Sequence, residues 1–227
     1  MTVDVRTVSE TAPTADRLSA APRLRRPDRT AVSDDSRLAV EIRALVERGN
    51  MEEARERFGG LVAGQQRRAS RIAYQYLRDA AEADEAVQDA FVKVFSHIVS
   101  YREAWPFEVW FTRILINGCL DRRKARARRE RWFVSPSGTA TAEEVWGAGA
   151  APEADPEALL LARERLRKVT AAIDRLEGRQ RTVFTLCHFG DYTPREVSAI
   201  TGLNESTVRV HLFRAVRKLR GLLGGKP

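Results

Sequence analysis

Residues 193–220 read TPREVSAITGLNESTVRVHLFRAVRKLR, and almost every position in this stretch carries a local signal. The Thr193 hydroxyl caps a helix, Pro194 suits the first helical position, and Glu196 reaches back three residues to complete a capping box. Val197 and Ile200 give that helix one apolar face. Gly202 ends it, because glycine takes φ > 0 without steric cost. Asn204 then caps a second helix. In it Val208, Leu212, Ala215, Leu219 and Leu222 recur at spacings of four and three, an amphipathic pattern. Arg209, His211, Arg214, Arg217, Lys218 and Arg220 fill its other faces. A short helix, a glycine turn and a longer basic helix predict a helix-turn-helix, whose second helix enters the major groove of DNA with its first residues against base edges. Those residues are Glu205, Ser206, Thr207 and Arg209. The plainer alternative is an αα-hairpin with a solvated basic face.

Working outward, the chain has 227 residues and a formal net charge of +8, with a sequence pI of about 10.1. That length suits one or two small domains. The basic balance suits nucleic acid or another anionic surface. No apolar run reaches membrane-spanning length, and residues 1–35 lack the apolar core of a signal peptide. They are rich in Ala, Thr, Arg, Pro and Asp and read as a disordered leader. Cys119 and Cys187 sit in apolar helical patterns, so buried free thiols in a reducing cytoplasm are expected. Cys187-His188 is too small a ligand set for a metal, and no cofactor is expected.

From residue 36 onward the pattern is helical throughout, so the fold class is all-α. Leu38, Ile42, Leu45 and Val46 mark a first helix ending near Gly49-Asn50. A second runs from about Met51 to Leu77, with a candidate break at Gly59-Gly60. A third spans about Ala81–Val99. Its apolar side carries Val87, Phe91, Val94, Phe95 and Ile98, and another face carries Glu82, Glu85 and Asp89. Those acids suit either a solvated surface or docking to a basic partner. The loop SYREAWPFEVW then holds Tyr101, Trp105 and Phe107 around Pro106. Three aromatics there suit core plugs or a base-stacking surface. A helix over about 107–129 starts apolar and ends basic, with seven Lys or Arg among residues 122–131, enough to hold phosphates.

Residues 132–157 contain no Lys or Arg and five acids, amid Ala, Gly, Pro, Ser and Thr, and read as a flexible acidic linker. The expected organisation is therefore a leader over 1–35, a helical domain over 36–131, the linker over 132–157 and a second helical domain over 158–227. In the last, Leu159, Leu166, Val169, Ile173 and Leu176 form a stripe, and GRQRTVFTLCHFG makes a helix beneath the helix-turn-helix. No convergent acid/base or nucleophile set is legible, so no enzyme is expected. His97 and His188 are scattered. A stand-alone DNA-binding regulator explains the second domain but not the aromatic loop and basic helix of the first.

Four fragments in order, ADEAVQDAFVKVF, FEVWFTRILINGCLDRRK, ADPEALLLARE and AIDRLEGRQRTVFTLCHFGDYTPREVSAITGLNESTVRVHLFRAVRKLR, resemble a bacterial RNA polymerase sigma factor of the extracytoplasmic-function (ECF) class of the sigma-70 family. The resemblance covers about residues 38–222. It implies that the first domain is sigma region 2 and the second sigma region 4, and that the protein binds core RNA polymerase and promoter DNA and promotes melting. It further implies −35 contacts from Glu205, Ser206, Thr207, Arg209, His211, Arg214, Arg217 and Lys218. Contacts to the −10 element would come from Tyr101, Trp105, Phe107, Trp110, Arg113, Asn117, Arg122, Arg123 and Lys124. Docking on core polymerase would use Glu82, Asp84, Glu85, Gln88 and Asp89. An anti-sigma partner is implied as well. The leader and the very basic end of the 107–129 helix depart from the family pattern.

Overall fold

The structure, a computed structural model, describes residues 33–130 and 156–224. Among them are eight α-helices and one 3-10 turn, and no strand. A first half holds α1 (Asp34–Glu47), α2 (Met51–Leu77), α3 (Ala80–Ser96), the 3-10 turn Ile98–Ser100 and α4 (Phe107–Glu130). A second half holds α5 (Pro156–Asp174), α6 (Gly178–His188), α7 (Pro194–Thr201) and α8 (Glu205–Leu222). The expected leader lies outside the described residues over 1–32, as does the expected linker over 132–155.

The helix ends follow local chemistry. Ser33 caps α1 by accepting from the Ser36 amide at 3.1 Å, so α1 starts at Asp34, ahead of the expected domain boundary at residue 36. Ser36 is itself buried, and its hydroxyl accepts from the Phe107 amide at 2.9 Å. One serine thus satisfies an N-terminal donor of α4 that would otherwise be orphaned. Asp79 caps α3 through the Glu82 amide. At α7 the capping box is complete. Thr193 Oγ1 accepts from the Glu196 amide at 3.3 Å, and the Thr193 amide donates to Glu196 Oε2 at 2.7 Å. Gly202 takes φ 74°, and the Asn204 side chain accepts from the Thr207 amide at 2.8 Å.

Two sequence expectations need correction. The Gly59-Gly60 pair does not break α2, which runs unbroken from Met51 to Leu77. A Cβ on Gly60 would stand 3.2 Å from Leu38 Cδ2, so α1 lies close against that turn; close approach to a neighbouring helix is the other common reason for glycine in a helix. Leu222 does not complete the buried stripe of α8: it is exposed, whereas Val208, Ala215 and Leu219 are buried.

The first-half core collects Ile42, Leu61, Ile72, Leu77, Val94, Ile98, Phe111 and Leu115, all nearly inaccessible. Phe91 stacks on Phe111 with centroids 4.7 Å apart. Residues of α6–α8, including Val183, Leu186, Val197 and Val208, join the same apolar cluster, so the two halves share a core. A smaller cluster of Ala172, Ile173, Leu176, Ala215 and Leu219 fastens α5 to α8. Of the expected stripe's described members, Ile173 and Leu176 are buried, Leu166 is half-buried and Val169 is exposed.

Candidate nucleic-acid interface

The basic helix α8 turns its charges outward. Arg209, Arg214, Arg217, Lys218 and Arg220 are exposed, and Ser206 is exposed beside them. Glu205 and Thr207 are half-buried. Arg209 is not a free fork: its Nη2 and Nε reach Glu205 Oε1 at 2.6 and 3.2 Å. Ser206 Oγ donates to Asn204 Oδ1 at 3.0 Å, so the capping residue also orients the first exposed hydroxyl. His211 is half-buried, and its Nδ1 has no hydrogen-bond partner. Val210 and Phe213 stand exposed among these cations. Sequence reasoning missed both, since an apolar residue off the main stripe has no local signal. Together they make a surface of cations, small hydroxyls and two apolar side chains, the mixture that phosphates, base edges and thymine methyl groups take.

In α4 and the loop before it the structure sorts the aromatics. Tyr101 and Phe107 are fully buried, which takes the core-plug side of the two readings. Their rings lie edge to face at 5.9 Å, and the Tyr101 hydroxyl donates to the Trp105 carbonyl at 3.1 Å. Burial pushes the Tyr101 phenol above its ordinary pKa. Trp105 and Trp110 are half-buried, and Arg113, Asn117 and Lys124 are exposed. Trp110, Arg113, Asn117 and Lys124 therefore form an accessible stripe at helical spacing.

The acid face of α3 and the basic end of α4 meet. Arg122 reaches Glu85 at 3.0 Å and Asp89 at 2.5 Å, and Arg126 reaches Glu82 at 3.3 Å. The hydrogen bond that Arg122 donates to Asp89 pushes its guanidinium further up. Asp84 accepts from Ser70 Oγ at 3.2 Å. Glu85 and Asp89 stay well exposed all the same, as do Asp84 and Gln88. Of the expected phosphate-holding cations Arg122 is thus engaged within the fold, while Arg123 makes no ion pair with a described residue. Lys124 has only a 3.5 Å contact with Asp121.

Contacts between the halves lie beside this stripe. Tyr192 is fully buried; its hydroxyl donates to the Glu108 carbonyl at 3.0 Å and pairs with Thr112 Oγ1 at 2.5 Å. The Arg68 guanidinium stands 4.2 Å over its ring and donates to the Gly190 carbonyl. A Cβ on Gly190 would lie 2.7 Å from the Tyr192 ring, so that position admits only glycine. Arg195 of α7 lies 5.6 Å over the Trp105 ring. None of Tyr192, Arg68 and Arg195 was legible as a functional position, because their partners are remote in sequence. No helix among the described residues is long and apolar enough to cross a membrane.

Comparison with known proteins gives this geometry a context. The family model for sigma-70 region 2 matches residues 61–129, and that for sigma-70 region 4 matches residues 166–219. The RNA polymerase sigma factor CnrH of Cupriavidus metallidurans is 30% identical over 166 residues, 73% of this chain and 86% of that protein. The RNA polymerase sigma-H factor of Pseudomonas aeruginosa is 30% identical over 175 residues, 75% and 88% of the two chains. The ECF RNA polymerase sigma-E factor of Escherichia coli is 29% identical over 159 residues, 70% and 82%. Among solved structures, CnrH in complex with the cytosolic domain of CnrY aligns with a TM-score of 0.57 at 22% identity, over 85% of this chain and 99% of that one. RpoE in complex with the anti-sigma factor NepR, from Bartonella quintana, aligns with a TM-score of 0.60 at 18% identity, over 75% and 98%. At such identities these two likenesses speak for the fold alone.

Proposed function

The chain belongs to the extracytoplasmic-function class of the sigma-70 family, a sigma factor that directs RNA polymerase to promoters for transcription initiation, and from that premise we propose a division of labour between its two halves. The second half reads the −35 element as duplex through α8, with Ser206, Thr207 and Arg209 toward base edges and Arg214, Arg217 and Lys218 toward phosphates. The first half holds the −10 element as single strand along α4, with Arg113 and Asn117 facing unpaired bases and Arg123 and Lys124 on the backbone. The exposed face of α3, with Asp84, Glu85, Gln88 and Asp89, docks on core polymerase. The chain acts in the cytoplasm and performs no catalysis of its own.

The observation that carries this reading is the accessible Trp110–Arg113–Asn117–Lys124 stripe, in the same chain as an outward-facing basic recognition helix. A regulator that only binds duplex needs the second surface but not the first. Unstacking a base costs a few kcal/mol, and a surface that offers an indole, a guanidinium and an amide can return it. An anti-sigma partner completes the proposal, by kinship with RpoE of Bartonella quintana, which was solved with the anti-sigma factor NepR. The test is run-off transcription on genomic fragments with purified core polymerase. Discrete start sites that appear only when this chain is added support the reading. Duplex binding without any start site contradicts it.

A further inference from the structure

Where the end of α2 meets α5 and α6, arginines outnumber the carboxylates that face them. Arg78 is the C-cap of α2 and sits in the left-handed region at φ 58°. Its Nη2 lies 2.8 Å from Asp174 Oδ1. Arg181 of α6 approaches the same carboxylate oxygen to 3.8 Å and donates to the Asp174 carbonyl, closing the end of α5. Arg123 of α4 bears electrostatically on both Arg181 and Tyr76. Among the described residues Asp174 is the one carboxylate in ion-pair reach of Arg78 and Arg181, and none is in reach of Arg123. Two guanidinium groups thus share one carboxylate, and Arg123 adds a third positive charge felt at Arg181 and Tyr76.

The hydrogen-bond account has the same sign. Arg78 Nε and Nη1 and Arg181 Nε are buried without a hydrogen-bond partner, Arg78 Nη2 meets only the Asp174 carboxylate, and the Tyr76 hydroxyl has only the Thr182 side chain beside it. Tyr76 is 2% exposed. Buried polar groups are almost always paired, and a donor left unpaired is costly. Burial first, and then the Arg78 and Arg123 charges, push the Arg181 guanidinium below its ordinary value against the upward pull of Asp174. The Arg78 nitrogens are themselves inaccessible, so an anion reaches them by displacing the Asp174 carboxylate. The Arg78 and Arg181 side chains keep 21% and 18% of their surface exposed, and Asp174 keeps 44%.

We propose that Arg78, Arg123 and Arg181, with the Tyr76 hydroxyl, form a binding site for a phosphoryl oxyanion at the seam between the two halves. A guanidinium fork matches phosphate oxygens in pairs, and a dianion would neutralise the charge that Asp174 leaves. Asp174 is the internal competitor: its carboxylate occupies part of the place an incoming anion takes. Tyr76, Arg78 and Arg123 come from the first half, and Arg181 from the second. The bound anion therefore favours the packed arrangement of the halves over any arrangement in which they are apart.

The test is thermal unfolding of the full chain in inorganic phosphate against chloride at matched ionic strength, with a nucleoside triphosphate in a parallel arm. The expected result is a saturable rise of about 3–5 °C at ten times the dissociation constant. Arg78→Asn, which keeps the left-handed backbone accessible, abolishes the rise. Asp174→Asn reaches it at several-fold lower phosphate, an outcome that does not depend on the Arg78 variant folding. Tighter binding of the nucleotide assigns the phosphoryl group to a nucleotide; equal or weaker binding assigns it to free phosphate. The proposal is overturned if neither the parent nor Asp174→Asn shows a saturable rise above chloride, or if Arg78→Asn retains it in full.

Discussion

Arg209 stands on the first turns of α8 with its side chain 69% exposed, its guanidinium aligned by Glu205. An exposed pair of this kind adds little stability, so its value lies in aiming the fork. Arg209→Ala should cost promoter binding by the holoenzyme about 1–3 kcal/mol at one base-pair position. Arg217→Ala should weaken all sequences alike and lower the salt slope by about one. Titration of binding on matched and mismatched −35 duplexes separates the two, and equal losses on both duplexes for Arg209→Ala would remove it from base readout. Cys119 makes a second residue-level prediction. Burial pushes its thiol from 9.0 up to about 12. The unfolded chain then releases that proton first, so the fold's advantage is complete below pH 9 and is lost as pH rises toward 12. Burial raises the Tyr76 phenol too, which extends the trend further into alkali. Urea unfolding from pH 8 to 10.5 should show declining stability, and Cys119→Ala should flatten the first part of the decline. A parent whose stability is level across that range would contradict the burial argument.

At the scale of elements, α3 and α4 are coupled by charge in a way that changes how the core-docking proposal must be tested. Reversing Glu85 and Asp89 to Lys would set new cations against Arg122, which both acids now hold. The neutral isosteres Glu85→Gln and Asp89→Asn avoid that repulsion. They should lower affinity for core polymerase several-fold with helical content unchanged. Unchanged affinity on a sizing column would return these acids to an intramolecular role. The helix-turn-helix was legible almost residue by residue, because Thr193, Glu196, Gly202 and Asn204 act on neighbours two to four positions away. The aromatic loop was not. Tyr101, Trp105 and Phe107 share one local pattern, yet only Trp105 keeps an accessible surface, and packing by α1 through Ser36 decides that from 71 positions away. Arg122 likewise reads as a phosphate ligand until the third helix is placed beside it.

At the scale of the whole molecule, the seam through Tyr192, Arg68 and Arg195 brings the two surfaces proposed to read DNA into one body, a relation that no local pattern in the sequence contains. The 167 described residues, 98 over 33–130 and 69 over 156–224, make a body roughly 40 Å across. Elements named −35 and −10 lie about 25 base pairs apart, roughly 85 Å of duplex. The halves must therefore part when both elements are held. Tyr192→Phe removes the bonds to the Glu108 carbonyl and Thr112 and should weaken the packing by about 1 kcal/mol. Energy transfer between dyes on α1 and α8 should accordingly fall in the free variant, and fall further in both proteins when core polymerase is added. Transfer that stays high in the holoenzyme would contradict the opening. The central claim is that α4 holds the unpaired −10 strand, and permanganate reactivity of −10 thymines with Asn117→Ala tests it most directly. The amide both donates and accepts, so its loss should leave core binding and the closed complex nearly intact while thymine reactivity on duplex promoters falls, with partial rescue on a pre-melted template. If Asn117→Ala holoenzyme opens duplex promoters as fully as the parent, this face of α4 does not hold the strand.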